Sequence, residues 1–124
     1  MKQRVLVIDD DRLVADTLNL IFLQNGFQSE ARYSAAEGLE RARSFDPELV
    51  LCDVTMPDGD GLQLAERLHE ERPKIRMLML TAYRSNASQV EAQSTRMGRP
   101  LKMLCKPCRP EELLRTANEI LQTA

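Results

Sequence analysis

The stretch "ELVLCDVTMPDGDG" (residues 48–61) carries the signals that decide the fold. Residues 48–52 contain a short, continuous apolar run, "LVLC" (49–52), the pattern of a strand buried on both faces of a parallel sheet. The run leads directly into Asp53, and residues 57–61 then concentrate Pro, Asp and Gly, the residues of tight turns. We therefore predict a central strand that ends in a carboxylate and is followed by a turn and a helix.

The same alternation extends in both directions along the chain, with apolar runs of strand length between longer amphipathic stretches. Five strand and helix pairs predict a parallel sheet covered by helices on both faces, with right-handed crossovers. Besides 48–52, the strands are predicted over 4–8, 27–31, 75–80 and 101–104, with the polar 27–31 segment near a sheet edge. The helices are predicted over about 12–25, 34–44, 62–72, 85–98 and 110–121.

The fourth predicted helix, residues 85–98, is unusually polar. Only Ala87, Val90, Ser94 and Met97 recur at helical spacing, so we expect these four side chains to face the core.

Composition limits the classes of function. The chain has 124 residues, 43% of them hydrophobic and 29% charged, which suits one soluble domain over 1–124. A formal net charge of −2 offers no basic field for nucleic acid. The apolar runs are too short to span a membrane, and the early acidic cluster leaves no room for a signal peptide. Three cysteines, an odd number, suit reduced thiols, so we expect a cytoplasmic protein.

Polar side chains follow four of the predicted strands. Asp9 and Asp10 follow the first, Asp53 the third, Thr81 the fourth and Lys106 the fifth. The carboxyl ends of parallel strands share one sheet edge, where α/β proteins place their chemistry. Clustered carboxylates without histidine favour Mg²⁺ or Mn²⁺, and a hydroxyl and an ammonium group beside them suit phosphoryl transfer to a carboxylate. Any one of these residues alone is more typical of a helix cap or strand end; their joint occurrence favours a site.

The segments "VLVIDDD", "PELVLCDVTMPDGDGL", "MLMLTA" and "CKP" together resemble the receiver domain of two-component response regulators. The resemblance covers essentially the whole chain, as one receiver (response regulatory) domain. It implies a flavodoxin-like (βα)₅ three-layer sandwich with strand order 2-1-3-4-5.

The resemblance also implies roles for the acidic residues. Asp53 would be the phosphoacceptor. Asp10 would bind Mg²⁺ directly, Asp9 would act mostly through water, and Asp53 and the backbone carbonyl of Thr55 would complete the protein ligands.

Around the acceptor, Thr81 and Lys106 would bind the acyl phosphate. The Lys106–Pro107 bond would be a candidate cis peptide, and Gly61 would lie at the turn beneath the acceptor. Receivers usually carry an aromatic switch residue three positions before the lysine, where this chain has Met103. Thr81 and Met103 are therefore the expected switch positions.

The implied function is a phosphorelay receiver, not a turnover enzyme. A sensor histidine kinase or histidine phosphotransfer protein would supply the phosphoryl group. The 81–103 face would then control an output domain or target protein, or form a homodimer. One alternative is a pseudo-receiver that acts as a constitutive protein-interaction scaffold, which Met103 favours; a small phosphatase is a weaker one.

The motif Cys105-Lys106-Pro107-Cys108 can be interpreted as a redox pair, half of a zinc site, or a Lys-Pro turn flanked by thiols. A redox motif is expected after an early strand, and zinc needs further ligands that Cys52 and His69 are poorly placed to provide. We favour the third interpretation, with Cys105 buried in a strand and Cys108 filling space.

Overall fold

The computed structural model describes residues 2–57 and 59–122, so Asp58 of the predicted turn lies outside the described residues. Five parallel strands form one sheet in the order β2-β1-β3-β6-β7. A separate antiparallel hairpin joins two-residue strands β4 and β5. The strands are β1 Arg4–Ile8, β2 Gln28–Arg32, β3 Leu49–Asp53, β4 Thr55–Met56, β5 Gly59–Asp60, β6 Arg76–Thr81 and β7 Lys102–Cys105.

Four α-helices connect the strands, a fifth follows β7, and a short 3₁₀ turn, Arg84–Asn86, precedes the fourth helix. Asp11 begins the first helix, because its side chain accepts hydrogen bonds from the backbone N–H groups of Leu13 and Val14. The helices are α1 Arg12–Gln24, α2 Ala35–Phe45, α3 Gly61–Glu71, α4 Ala87–Met97 and α5 Pro110–Gln122.

The central strands are buried on both faces, as their continuous apolar runs predict. Leu6 and Ile8 of β1 pack in a core beneath α2, α3 and α4, whereas Val5 and Val7 pack in a second core beneath α1 and α5. The same alternation continues along β3 and β6. When only the five sheet strands are counted, their order is 2-1-3-4-5, so the predicted flavodoxin-like (βα)₅ sandwich is confirmed.

The predicted inward stripe of α4 is partly wrong. Val90 is buried and Ser94 and Met97 are half-buried, but Ala87 is exposed, and Gln93, which was not in the predicted stripe, is buried. Gln93 tolerates burial because its side-chain amide donates to Glu66 of α3 at 3.1 Å. The helix therefore rests on α3 through polar contacts as well as through apolar ones.

Within residues 2–57 and 59–122, no helix combines the length and the apolar character needed to cross a bilayer.

Candidate functional site

The carboxyl ends of β1 and β3 bring the predicted carboxylates together. One oxygen from each of Asp9, Asp10 and Asp53 can be chosen so that all three lie within 4.8 Å of one another. Asp9 and Asp53 are buried, whereas Asp10 is exposed at the rim. The three groups thus form an acidic cluster that is open to solvent on one side.

Lys106, at the end of β7, reaches into this cluster. Its ammonium Nζ lies 2.5 Å from Asp9 Oδ2 and 3.0 Å from Asp53 Oδ2, so one cation bridges two carboxylates. The Lys106–Pro107 peptide bond is cis. The backbone N–H of Lys106 also donates to the carbonyl oxygen of Thr81 at 2.7 Å, which ties the end of β7 to the end of β6.

Burial and charge oppose each other at this site. Burial raises the pKa of Asp53, and the adjacent Lys106 only partly offsets this effect. Burial alone would lower the pKa of Lys106, but hydrogen bonds to Asp9 and Asp53 outweigh it and leave that pKa raised. The ammonium group therefore stays charged beside the carboxylates at neutral pH.

The segment after β3 positions the Asp53 carboxylate. The backbone N–H of Thr55 donates to Asp53 Oδ1 at 3.3 Å, and the N–H of Gly61 donates to the carbonyl of Val54 at 2.9 Å. A Cβ atom at position 61 would overlap the backbone carbonyl oxygen of Asp53. Glycine is therefore required where α3 begins against the acceptor strand. Thr55 itself is exposed, and metal binding by its carbonyl stays a prediction.

Thr81 lies at the end of β6 and is 1% exposed. Among the described residues, its hydroxyl forms hydrogen bonds only within its own loop, with Tyr83 and Asn86, and not with Asp53 or Lys106. Asn86 was not among the predicted site residues. The only sequence signal for it is an amide side chain just before a helix.

Met103, the second expected switch residue, is half-buried in β7 and packs against the core beneath α2, α3 and α4. Its thioether has no hydroxyl tip with which to report on the site. Whether it takes part in switching stays a prediction.

The three cysteines are free thiols. Cys52 is buried, as expected, whereas Cys105 is only half-buried in β7 and Cys108 is half-buried against the α1 and α5 core. Burial raises the pKa of the Cys108 thiol, which disfavours the reactive thiolate. These environments agree with the interpretation of a Lys-Pro turn flanked by thiols.

The donor set fits a hard divalent cation. Carboxylate oxygens from two strands lie close together, and one of the three groups is open to solvent, which suits a cation that keeps part of its water shell. The Lys106 charge stands beside them, where a phosphoryl group could be met by positive charge.

Comparisons with known proteins agree with this arrangement. The sequence model of the response regulator receiver domain matches residues 5–118. Response regulator MprA of Mycobacterium ulcerans is 33% identical over 122 residues, which cover 98% of this chain and 51% of MprA. Acid tolerance regulatory protein ActR of Rhizobium meliloti is 32% identical over 110 residues, covering 89% of this chain and 55% of ActR. The chain thus spans about half the length of these relatives.

A solved structure gives the same result at the level of the fold. The crystal structure of a CheY-like response regulator receiver domain protein from Methanospirillum hungatei superimposes with a TM-score of 0.88 at 30% identity. The match covers 98% of this chain and 94% of that one. From the family match over residues 5–118 and the shared fold, this chain belongs to the response regulator receiver domains of two-component signal transduction.

Proposed function

We infer that this receiver accepts a phosphoryl group on Asp53. The observation that carries the inference is the place of its carboxylate, beside Asp9 and Asp10 and 3.0 Å from the ammonium of Lys106. This arrangement supplies a nucleophile together with the charges that phosphoryl transfer requires.

The reaction is a displacement at phosphorus. A carboxylate oxygen of Asp53 attacks the phosphorus atom and forms an O–P bond. The bond from phosphorus to the donor breaks, either P–N of a phosphohistidine or P–O of acetyl phosphate, and the donor leaves with the electron pair. Lys106 pairs with the phosphoryl oxygens of the resulting acyl phosphate, and Thr81 donates a hydrogen bond once its hydroxyl has turned toward them.

Asp9, Asp10 and Asp53 would hold the cation, Mg²⁺ or Mn²⁺, with the backbone carbonyl of Thr55 as a further ligand. When bound, the cation supplies positive charge that offsets repulsion between the carboxylates and the phosphoryl oxygens.

Receiver domains are regulatory phosphoacceptors and not turnover enzymes. The partners to test are therefore a phosphoryl donor and a protein or domain that responds to phosphorylation. A sensor histidine kinase or a histidine phosphotransfer protein would donate the phosphoryl group in the cytoplasm. The added charge would then bias the 81–103 face toward a second conformation that controls an output domain, a target protein or a homodimer.

The test is labelling with acetyl phosphate. We expect one phosphoryl group per chain in the presence of Mg²⁺, no label after chelation, and no label in Asp53→Asn. Asp46→Asn is a matched control, because Asp46 is an exposed aspartate that ends α2 and precedes β3, whereas Asp53 lies at the carboxyl end of that strand, and the variant should label like the wild type. Labelling that persists in Asp53→Asn would contradict the assignment.

One observation favours a second function, a constitutive scaffold. Met103 stands where receivers usually carry an aromatic switch residue, and its side chain packs into the core. A titration with Mg²⁺ and beryllofluoride, monitored through amide chemical shifts, separates the two functions. A scaffold would show changes near Asp53 only, whereas a switching receiver would show them along 81–103 as well.

A further inference from the structure

The Thr81 hydroxyl has no hydrogen-bonding capacity left for the site. A hydroxyl offers one proton and two lone pairs. Here it donates to the Tyr83 carbonyl oxygen at 3.1 Å and accepts from the Tyr83 backbone N–H at 3.0 Å. The side-chain amide of Asn86 donates the remaining bond, at 2.6 Å. Thr81 can therefore bind a phosphoryl oxygen only if this set of bonds opens.

The side chain of Asn86 bonds to Thr81 instead of capping α4. Asparagine just before a helix usually accepts hydrogen bonds from the first turn of the helix. Asn86 immediately precedes α4, yet its side chain makes no cap hydrogen bond and turns back to Thr81. Its backbone N–H donates to the same Tyr83 carbonyl that accepts the Thr81 proton, at 3.1 Å. The side chain thus closes a ring of hydrogen bonds at Thr81.

We propose that Asn86 is a positioning residue that holds the Thr81 hydroxyl away from Asp53 and releases it when a phosphoryl group is bound, so that the start of α4 moves with Thr81. The Asn86–Thr81 hydrogen bond links a site residue directly to the start of α4. Met103 cannot provide such a link, because its side chain has no hydroxyl. This inference rests on the proposed phosphoacceptor function of Asp53.

The packing of α4 is suited to such movement. Val90 is the one apolar side chain in its described span that is fully buried, and its other anchors are polar. Gln93 and Arg96 both donate to Glu66 of α3, and the Ser94 hydroxyl donates to the Arg99 carbonyl. Few apolar contacts oppose a shift of the N-terminal end, so the tie to Thr81 has a large share in fixing its position.

The test is a beryllofluoride titration of the 124-residue chain in the presence of Mg²⁺, comparing the wild type with Asn86→Ala. Under the proposal, the Asn86–Thr81 hydrogen bond exists only in the resting state, so beryllofluoride binding must break it. We expect its removal to tighten beryllofluoride binding by about three- to tenfold. In a Thr81→Val background the same Asn86→Ala change should alter binding by less than about twofold, because its partner is absent. Ser85→Ala, in the same 3₁₀ turn, is the matched control and should bind like the wild type.

Unchanged or weaker binding in Asn86→Ala, or an equal gain in the Thr81→Val background, would overturn the proposal. A second measurement needs no substitution: the side-chain amide resonances of Asn86 should move when the wild type is saturated with beryllofluoride. Resonances that stay in place would show that the contact persists, against the proposal. Failure of the phosphoacceptor function has a different signature, since the wild type itself would then not bind beryllofluoride.

Discussion

Lys106 is the residue on which the resting charge balance of the site depends. Its ammonium lies between Asp9 and Asp53, and Asp9 is completely buried. Removal of the cation from a part-buried cluster leaves two carboxylates without a countercharge, which costs more than an exposed ion pair contributes.

This contact leads to a prediction for Lys106→Met. The substitution should lower the free energy of unfolding by about 3 kcal/mol in the absence of divalent cations. Millimolar Mg²⁺ should restore more stability to the variant than it adds to the wild type, because the cation then supplies the missing positive charge. Urea unfolding with and without Mg²⁺ measures both effects.

Lys102→Met is the control for that experiment, since Lys102 is an exposed lysine on the same strand. It should change stability by no more than about 0.5 kcal/mol. Equal stabilisation of the wild type and Lys106→Met by Mg²⁺ would contradict the prediction that the cation replaces the charge of Lys106.

At the residue scale, the sequence predicts which residues belong to the site better than it predicts the contacts that they make. Asp9, Asp10, Asp53 and Lys106 are recognisable because each follows a predicted strand. The hydroxyl of Thr81 is different, since nothing in the sequence shows that it is bonded to its own loop. Such contacts depend on side-chain torsions and on loop geometry, which have no periodic signal.

Helices α2 and α3 are joined by a polar contact at one end. Glu71 accepts hydrogen bonds from Arg43 at 2.8 and 2.9 Å and from Arg67 at 3.2 Å. These bonds, first of all those from Arg43, lower the pKa of Glu71 from 4.5 to about 2. Because the folded-state pKa is lowered, the ionised carboxylate stabilises the fold above about 4.5, and this contribution is lost as pH falls toward about 2.

The prediction is a carboxyl chemical-shift titration of Glu71 with a midpoint near 2, which should move toward 4.5 in Arg43→Ala. Arg115→Ala on α5 should leave the midpoint unchanged, because α5 packs on the other face of the sheet. A wild-type midpoint near 4.5 would show that the Arg43 contact is not formed in solution.

At the element scale, the predicted strands and helices agree with the structure to within a residue or two at most ends, because buried parallel strands have continuous apolar runs. The α4 stripe is the exception. Ala87 was expected inside but is exposed, whereas Gln93 is buried, since an amide with a charged partner on α3 can be buried without an unsatisfied group. The spacing of apolar residues in a sequence does not reveal such a polar partner. The β4–β5 hairpin was likewise not predicted, as two-residue strands are too short for a pattern.

In the whole molecule, the candidate site and the apolar cores occupy different parts of the fold. The carboxyl ends of the strands hold the acidic cluster and Lys106, while two apolar cores keep the sheet rigid beneath them. Helix α4 lies over one of these cores and begins directly after Asn86, whose side chain is hydrogen bonded to Thr81. A charge added at Asp53, which pairs in the sheet with Leu80 beside Thr81, therefore lies near a helix in whose described span Val90 is the one fully buried apolar side chain.

The proposed mechanism depends on Asp53 itself carrying the phosphoryl group. The most direct measurement is borohydride reduction of the chain after treatment with acetyl phosphate and Mg²⁺, followed by peptide mass spectrometry, because reduction of an acyl phosphate leaves an alcohol in place of the carboxyl. Phosphorylation of Asp53 predicts homoserine at position 53 and unmodified aspartate at positions 9 and 10. Homoserine at position 9 or 10, with an intact aspartate at 53, would contradict it.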